Sequence, residues 1–88
     1  MRFSVQVETR PRAGVADPEG ATIERSLPAL GFHGVADVRV GKSFRFALDA
    51  PDLDAARREV EDMCQRFLTN PVIEDVEITV TEPAPAVR

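Results

Sequence analysis

This sequence of 88 residues has no tryptophan and no tyrosine, and five phenylalanines are its only aromatic residues. So few rings leave little surface on which nucleobases could stack. The 11 lysines and arginines are outnumbered by 15 acidic residues, which gives a formal net charge of -4. The sequence therefore lacks the basic surface that binds a phosphate backbone, and we expect no nucleic-acid partner.

Cysteine and long apolar runs are also scarce. Cys64 is the single cysteine, so no internal disulfide can form. The N-terminal residues alternate between polar and apolar instead of forming a charged and then apolar leader. No apolar run approaches the roughly 20 residues that span a bilayer. These features predict a cytoplasmic protein with no membrane partner.

Residues that carry chemistry are few. His33 is the only histidine and stands between two glycines, without a positioned partner for acid-base catalysis. Cys64 falls on an apolar helical stripe, where a buried structural role is expected. There is no glycine-rich phosphate loop and no cluster of metal ligands. We therefore predict that this chain carries no catalytic, cofactor-binding or metal-binding residue.

The residues that are present predict six elements. Alternation from Phe3 to Val7 indicates a first strand. Asp17 as N-cap and Pro18 at the first helical position begin a helix, and Gly31 ends it. Pro28 lies inside this segment and predicts a bend or a tight last turn.

The second half repeats this order. Alternation at Val38–Val40 and again at Phe44–Leu48 predicts a hairpin that turns at Gly41. Apolar residues then recur every three or four positions from Leu53 to Leu68, which indicates a second helix. Asn70-Pro71 ends that helix, and Val76–Val80 forms the last strand.

The predicted order β-α-β-β-α-β is that of a ferredoxin-like α+β fold. We expect a four-stranded antiparallel sheet with two helices on one face, in a single domain of residues 1–81 followed by a flexible tail of residues 82–88. The other sheet face would be open and mixed in charge, so self-association as a dimer or higher oligomer is expected. The residues assigned to that face are Ser4, Gln6, Asp37, Arg39, Arg45, Ala47, Glu77 and Thr79.

Three short motifs resemble one protein family. They are Asp17-Pro18-Glu19-Gly20, the stretch Val35-Ala36-Asp37-Val38-Arg39-Val40-Gly41-Lys42, and Asn70-Pro71-Val72-Ile73-Glu74-Asp75. In this order and spacing they resemble the PurS subunit of phosphoribosylformylglycinamidine (FGAM) synthase, from about Phe3 to Val80. Departures from the family pattern are Pro28 and Thr69, and they bear on local helix geometry.

The resemblance implies a non-catalytic subunit of a carbon-nitrogen ligase in de novo purine biosynthesis. Such a subunit bridges a large ATP-dependent synthetase subunit and a glutaminase subunit. It assists ammonia transfer for the conversion of formylglycinamide ribonucleotide to formylglycinamidine ribonucleotide. ATP and magnesium would be used by the synthetase subunit, with no cofactor on this chain.

The most interesting residues for partner contact are Arg39, Gly41 and Lys42, because glycine permits close backbone approach and lysine extends a cation beyond the strand. A solvated hairpin end explains the same residues. Asp17 and Gly20 at the first helix start are a second candidate contact, although helix capping alone explains them. The resemblance favours contact with a partner subunit.

Two other function classes share the predicted element order. An ACT-like regulatory domain would bind a small molecule near the turn Gly31–Gly34. An acylphosphatase-like hydrolase would use Arg10 or Arg12 together with Asn70, but Asn70 before Pro71 fits a helix stop better. Asp37 and Asp75 could be paired carboxylates, although their matching positions before two strands favour turn or cap roles.

Overall fold

The structure, a computed structural model, describes residues 1–82 and has a mixed α+β architecture. Its elements in chain order are β1 (Arg2–Pro11), α1 (Pro18–Ser26), β2 (Lys42–Asp49), α2 (Leu53–Met63) and β3 (Glu74–Thr81). A short 3-10 helix, Pro28–Leu30, follows α1, and a π-helical turn, Cys64–Leu68, follows α2. The predicted α+β class with an antiparallel sheet is confirmed.

β1 is the central strand and pairs antiparallel with both neighbours, in the order β2-β1-β3. The predicted four-stranded sheet is wrong, because residues 1–82 form three strands. Val38–Val40 was expected to form a hairpin with β2 but runs outside the sheet. The N–H groups of Val38 and Val40 donate instead to the carboxylates of Glu24 and Asp17. These two side chains therefore accept hydrogen bonds from backbone amides that would otherwise have bonded to a neighbouring strand.

The core lies on one face of the sheet, beneath α2. Every second residue of β1 points to it, as the strand period requires, and Phe3, Val5 and Val7 are at most 2% exposed. Val60 on α2 is fully buried against this face. Asp52 begins α2 by accepting a hydrogen bond from the Ala55 amide at 2.8 Å. The apolar face predicted for the second helix is confirmed at Ala56, Val60 and Cys64, but not at its ends, since Leu53 and Phe67 are exposed.

The opposite face of the sheet is polar, as expected. Strand alternation and register place on it six of the residues assigned from sequence: Ser4, Gln6, Arg45, Ala47, Glu77 and Thr79. Asp37 and Arg39 were also assigned to it but precede β2, outside the sheet. That part of the prediction is wrong because their strand does not form.

The ends of both helices follow the local signals. Asp17 caps α1, and Pro28 ends regular α-helical geometry by opening the 3-10 helix, so the predicted tight last turn is confirmed. Gly31 ends that turn with a φ of 98°, a conformation that favours glycine. After α2, the amide and the hydroxyl of Thr69 both donate to the Cys64 carbonyl, at 3.2 and 2.9 Å. Thr69 therefore closes the π-helical turn.

Residues 15–41 project from the end of the sheet as an extension that we call the arm. The described chain measures 51 × 29 × 16 Å, and α1 has its main contacts with its own 3-10 helix. The expectation that both helices pack on one sheet face is wrong, since in residues 1–82 only α2 does so to any extent. Of the predicted tail, Glu82 forms a bend, and residues 83–88 lie outside the described part.

Candidate partner interface

The five residues chosen from sequence for partner contact meet at the junction, the region where the arm leaves the sheet. They are Asp17, Gly20, Arg39, Gly41 and Lys42. Asp17 and Gly20 begin α1, while the other three lead back into β2. The two stretches meet because Asp17 bonds to the backbone of the returning segment. Two motifs that are separate in sequence therefore form one surface.

Asp17 is the central group of the junction. Its Oδ1 accepts a hydrogen bond from the Gly20 amide at 3.0 Å, and its Oδ2 accepts one from the Val40 amide at 2.8 Å. The Val40 bond, the Gly20 bond and the nearby Arg39 guanidinium hold the pKa of the Asp17 carboxyl below its usual value, against partial burial. The capping role is confirmed, and the same carboxylate also fixes the returning chain.

Both glycines of the junction allow close approach within the chain. A Cβ at Gly20 would lie 2.5 Å from both Asp17 Oδ2 and the Val38 carbonyl oxygen. A Cβ at Gly41 would collide with the carbonyl oxygen of Thr9 on β1. Gly41 therefore does permit close backbone approach, but to the chain's own β1, and contact of Gly41 with a partner stays a prediction.

Arg39 is turned back onto the loop that precedes α1. Its Nη2 donates to the Arg12 carbonyl at 3.1 Å and lies 3.4 Å from the carbonyls of Pro11 and Val15. The expected hairpin that projects Arg39 and Lys42 together is thus wrong. Arg39 thus links the returning end of the arm to the loop that precedes α1.

Both cations of the junction are exposed, but Arg39 is held by the loop carbonyls, whereas the Lys42 side chain takes part in none of these bonds. It lines a shallow depression of about 390 Å³ together with Glu19, Glu74 and the Asp17 carboxylate. Lysine presents its charge on a flexible stem, so it can reach a group beyond this depression. The Lys42 side chain is therefore the less constrained of the two exposed cations.

Sequence analysis missed Glu24. Its Oε1 accepts a hydrogen bond from the Val38 amide at 3.0 Å, parallel in role to the Asp17 bond with Val40. A signal was present, because Glu24 follows Asp17 by seven residues and so lies on the same side of a helix two turns later. The seven-residue spacing of these two acceptors could not be related to the amides of Val38 and Val40, because Val38–Val40 was expected to pair with a strand.

Comparison with known proteins decides the family. A model described as PurS, phosphoribosylformylglycinamidine (FGAM) synthase, matches residues 4–82. The chain belongs to the PurS family. The PurS subunit of Methanothermobacter thermautotrophicus is 46% identical over 82 residues, covering 93% of this chain and 96% of the relative. That of Bacillus subtilis is 32% identical over 80 residues, covering 91% and 94%.

Solved structures agree with this assignment. The PurS subunit of Thermotoga maritima superposes with a TM-score of 0.84 at 32% identity, covering 92% of this chain and 93% of that one. A chain in the structure of PurLQS from the same organism superposes with a TM-score of 0.85 at 32% identity, covering 92% and 99%. The resemblance inferred from three motifs is confirmed.

Elsewhere on this PurS-family chain, a cleft of about 410 Å³ lies between α2 and β3. Cys64 lines it and is buried, and burial together with the charge of Glu61 raises the pKa of its thiol. A thiol with a raised pKa stays protonated at neutral pH and is a poor nucleophile. The buried position predicted for Cys64 is confirmed.

The residues of the hydrolase alternative have local partners. Arg10 lies 3.9 Å from Glu77, and Arg12 lies 3.6 Å from Asp75. The side chain of Asn70 accepts a hydrogen bond from the Val72 amide at 3.2 Å, as a turn residue does. Arg10 and Arg12 thus lie beside β3, and Asn70 shapes the turn before it.

Two other candidate groups lie in the chain that leads from the 3-10 helix back to β2. His33 is exposed there, and Asp37 has a φ of 59°, in the left-handed region. Within residues 1–82, no group of three metal-ligating side chains comes together. The same residues contain no helix with the length and hydropathy needed to cross a membrane.

Proposed function

We propose that this chain is the small subunit of a cytoplasmic FGAM synthase complex, where it bridges the ATP-dependent synthetase subunit and the glutaminase subunit. In this role it assists ammonia transfer during conversion of formylglycinamide ribonucleotide to formylglycinamidine ribonucleotide. The observation that carries the proposal is the superposition on a chain of PurLQS, which extends over 92% of this chain. Such agreement supports the same kind of placement in an assembly.

The chain itself contributes no chemical step. Its one thiol is buried with a raised pKa, and its one histidine is exposed in the loop after the 3-10 helix, so neither forms a nucleophile with its base. ATP and magnesium are used by the synthetase subunit. The role of this subunit is to hold its two partners in a geometry that carries ammonia from one to the other.

The junction is the proposed contact with a larger subunit. Lys42 supplies an exposed charge, and Asp17, Gly20, Arg39 and Gly41 determine the shape around it. The chain also associates with itself, as a dimer at least. Its thin shape, 16 Å in the shortest dimension, leaves apolar residues of the arm exposed, which supports self-association.

Reconstitution tests the bridging role. Adding the chain to the synthetase and glutaminase subunits is expected to raise glutamine-dependent formation of formylglycinamidine ribonucleotide several-fold. Synthesis from added ammonia is expected to change little, because free ammonia reaches the synthetase without the glutaminase. The ammonia-dependent rate is therefore the internal control. Equal glutamine-dependent rates with and without the chain would contradict the proposal.

A further inference from the structure

The third sequence motif, Asn70–Asp75, forms one end of the cleft between α2 and β3. Pro71, Glu74 and Asp75 line the cleft there, beside the π-helical turn. Single π-helical turns occur frequently at functional sites. The cleft volume of about 410 Å³ falls near the lower end of the range for ligand pockets, which is about 300–1,000 Å³. The cleft is therefore large enough for one small ligand.

One wall of the cleft is a polar stripe that follows α2 into the π-helical turn. Arg57, Glu61 and Gln65 recur at intervals of four residues and all line the cleft. In the described part of the chain, neither Arg57 nor Glu61 belongs to an ion pair. Asp62 and Arg66, at the same spacing, do pair at 3.2 Å. There the acid precedes the base, which is the favourable order on a helix, and the order of Arg57 and Glu61 is reversed. Two opposite charges thus lie side by side without neutralising each other.

The floor of the cleft is apolar. Val76 and Ile78 alternate along β3 with the same orientation as the buried Val80, and both line the cleft. Val76 is 37% exposed, and Ile78 is half-buried. At the far end, Arg12 lies 3.6 Å from Asp75, so these two charges balance each other. The charges left for a ligand are therefore those on the α2 wall, next to an apolar floor.

We propose that this cleft binds a free α-amino acid whose side chain has an aliphatic stem and a polar tip, as glutamine has. Arg57 binds the α-carboxylate through its paired N–H donors, and Glu61 binds the α-ammonium group. The stem lies on Val76 and Ile78, and the amide of Gln65 can donate to and accept from the polar tip. This site is separate from the bridging function and needs no other subunit.

The charge pattern favours a zwitterion over other small ligands. A free amino acid carries both charges on one carbon atom, and neighbouring residues four apart on a helix have Cβ atoms about 5–6 Å apart. Three carboxylates and two guanidinium groups line the cleft, so a phosphate or a dicarboxylate would meet net repulsion. The end of a polypeptide presents only one of the two charges. A free amino acid uses both.

The affinity should be low, because the side chains of the α2 wall are exposed. Water screens ion pairs at such positions, so we expect a dissociation constant on the order of 1 mM. Metabolite binding of this strength is measured by nuclear magnetic resonance, in which each backbone amide reports its own surroundings.

Titration of the ¹⁵N-labelled full chain with L-glutamine tests the site. We expect saturable shift changes at the amides of residues that line the cleft, including Gln65, Thr69 and Val76. The double variant Arg57→Gln/Glu61→Gln keeps the net charge and should weaken binding roughly tenfold. Its matched control, Arg58→Gln/Glu59→Gln, makes the same changes at exposed α2 positions that do not line the cleft, and should bind as the wild type does.

Ligand analogues test which groups are recognised. N-acetyl-L-glutamine lacks the ammonium group, L-glutaminamide lacks the carboxylate, and glycine lacks the stem, so each should bind several-fold more weakly than L-glutamine. The proposal is overturned if L-glutamine gives no saturable shifts, if the shifts map outside the cleft, or if any of these analogues binds as tightly. Unchanged binding by the Arg57→Gln/Glu61→Gln variant overturns it as well. Because the chain is measured alone, these results do not depend on whether it bridges larger subunits.

Discussion

Asp17 joins two elements through one side chain. Each of its oxygens accepts a backbone hydrogen bond, one from the start of α1 and one from the segment that returns to β2. Both bonds favour the charged form, so the pKa of this carboxyl is lower in the folded chain than in the unfolded one. The stability that Asp17 supplies should therefore depend on pH.

The direction of this dependence follows from the lowered pKa. The contribution is complete above the unfolded value of 3.8 and is lost as pH falls through the lower folded value. We expect Asp17→Asn to lower the Tm near neutral pH, and the gap to the wild type to close as pH falls below 3.8. Asp37→Asn is the control, because asparagine also tolerates the left-handed φ of that exposed residue. A gap that is independent of pH would refute this account.

Arg39 and Lys42 should respond differently to truncation. Arg39→Ala removes the bonds to the loop carbonyls, so we expect a loss of roughly 1–2 kcal/mol in stability, measured by denaturant unfolding.

Lys42→Ala should leave stability within about 0.5 kcal/mol of the wild type. It should weaken co-elution with the synthetase and glutaminase subunits, because an interfacial charge pair broken on one side costs roughly 2–5 kcal/mol. If Lys42→Ala co-elutes fully with the two subunits at physiological salt, the docking surface does not depend on Lys42 and lies elsewhere.

At the scale of elements, α2 and β1 form the stable centre of the molecule. Val60 is fully buried between α2 and the sheet, and its truncation to alanine leaves a cavity there. We expect Val60→Ala to cost roughly 1–3 kcal/mol of unfolding free energy in a denaturant titration. Val72→Ala makes the same chemical change at a position 79% exposed and should cost under about 0.5 kcal/mol. Similar losses for both variants would contradict this description of the core.

Element boundaries were predictable where one residue type determines local geometry. Asp17 and Pro18 begin α1, Pro28 tightens its end, and Gly31 takes the left-handed conformation. Val38–Val40 was mispredicted because alternation shows which side chains could share a face, but not whether a neighbouring strand is available. The carboxylates of Asp17 and Glu24 bind its amides instead, and those contacts are not local in sequence.

At the scale of the whole molecule, the family and the α+β class could be predicted, but the position of the arm could not. The five candidate contact residues do meet in space, while their contact with a partner stays a prediction. What sequence could not supply was the direction of Arg39, which depends on three carbonyls of a preceding loop. The placement of α1 depends on the same contacts. Contacts between residues distant in sequence therefore determine the direction of Arg39 and the position of the arm, which periodicity does not predict.

The extended outline also affects how the chain moves through water. A particle of 51 × 29 × 16 Å has more frictional drag than a sphere of equal mass, and it tumbles faster about its long axis than end over end. A single copy would therefore elute from a gel-filtration column ahead of compact proteins of 9.7 kDa. A pair of copies lying side by side would gain mass with a smaller gain in length. For this chain, elution volume and mass thus vary independently, and diffusion measured together with scattering mass distinguishes an extended monomer from a pair.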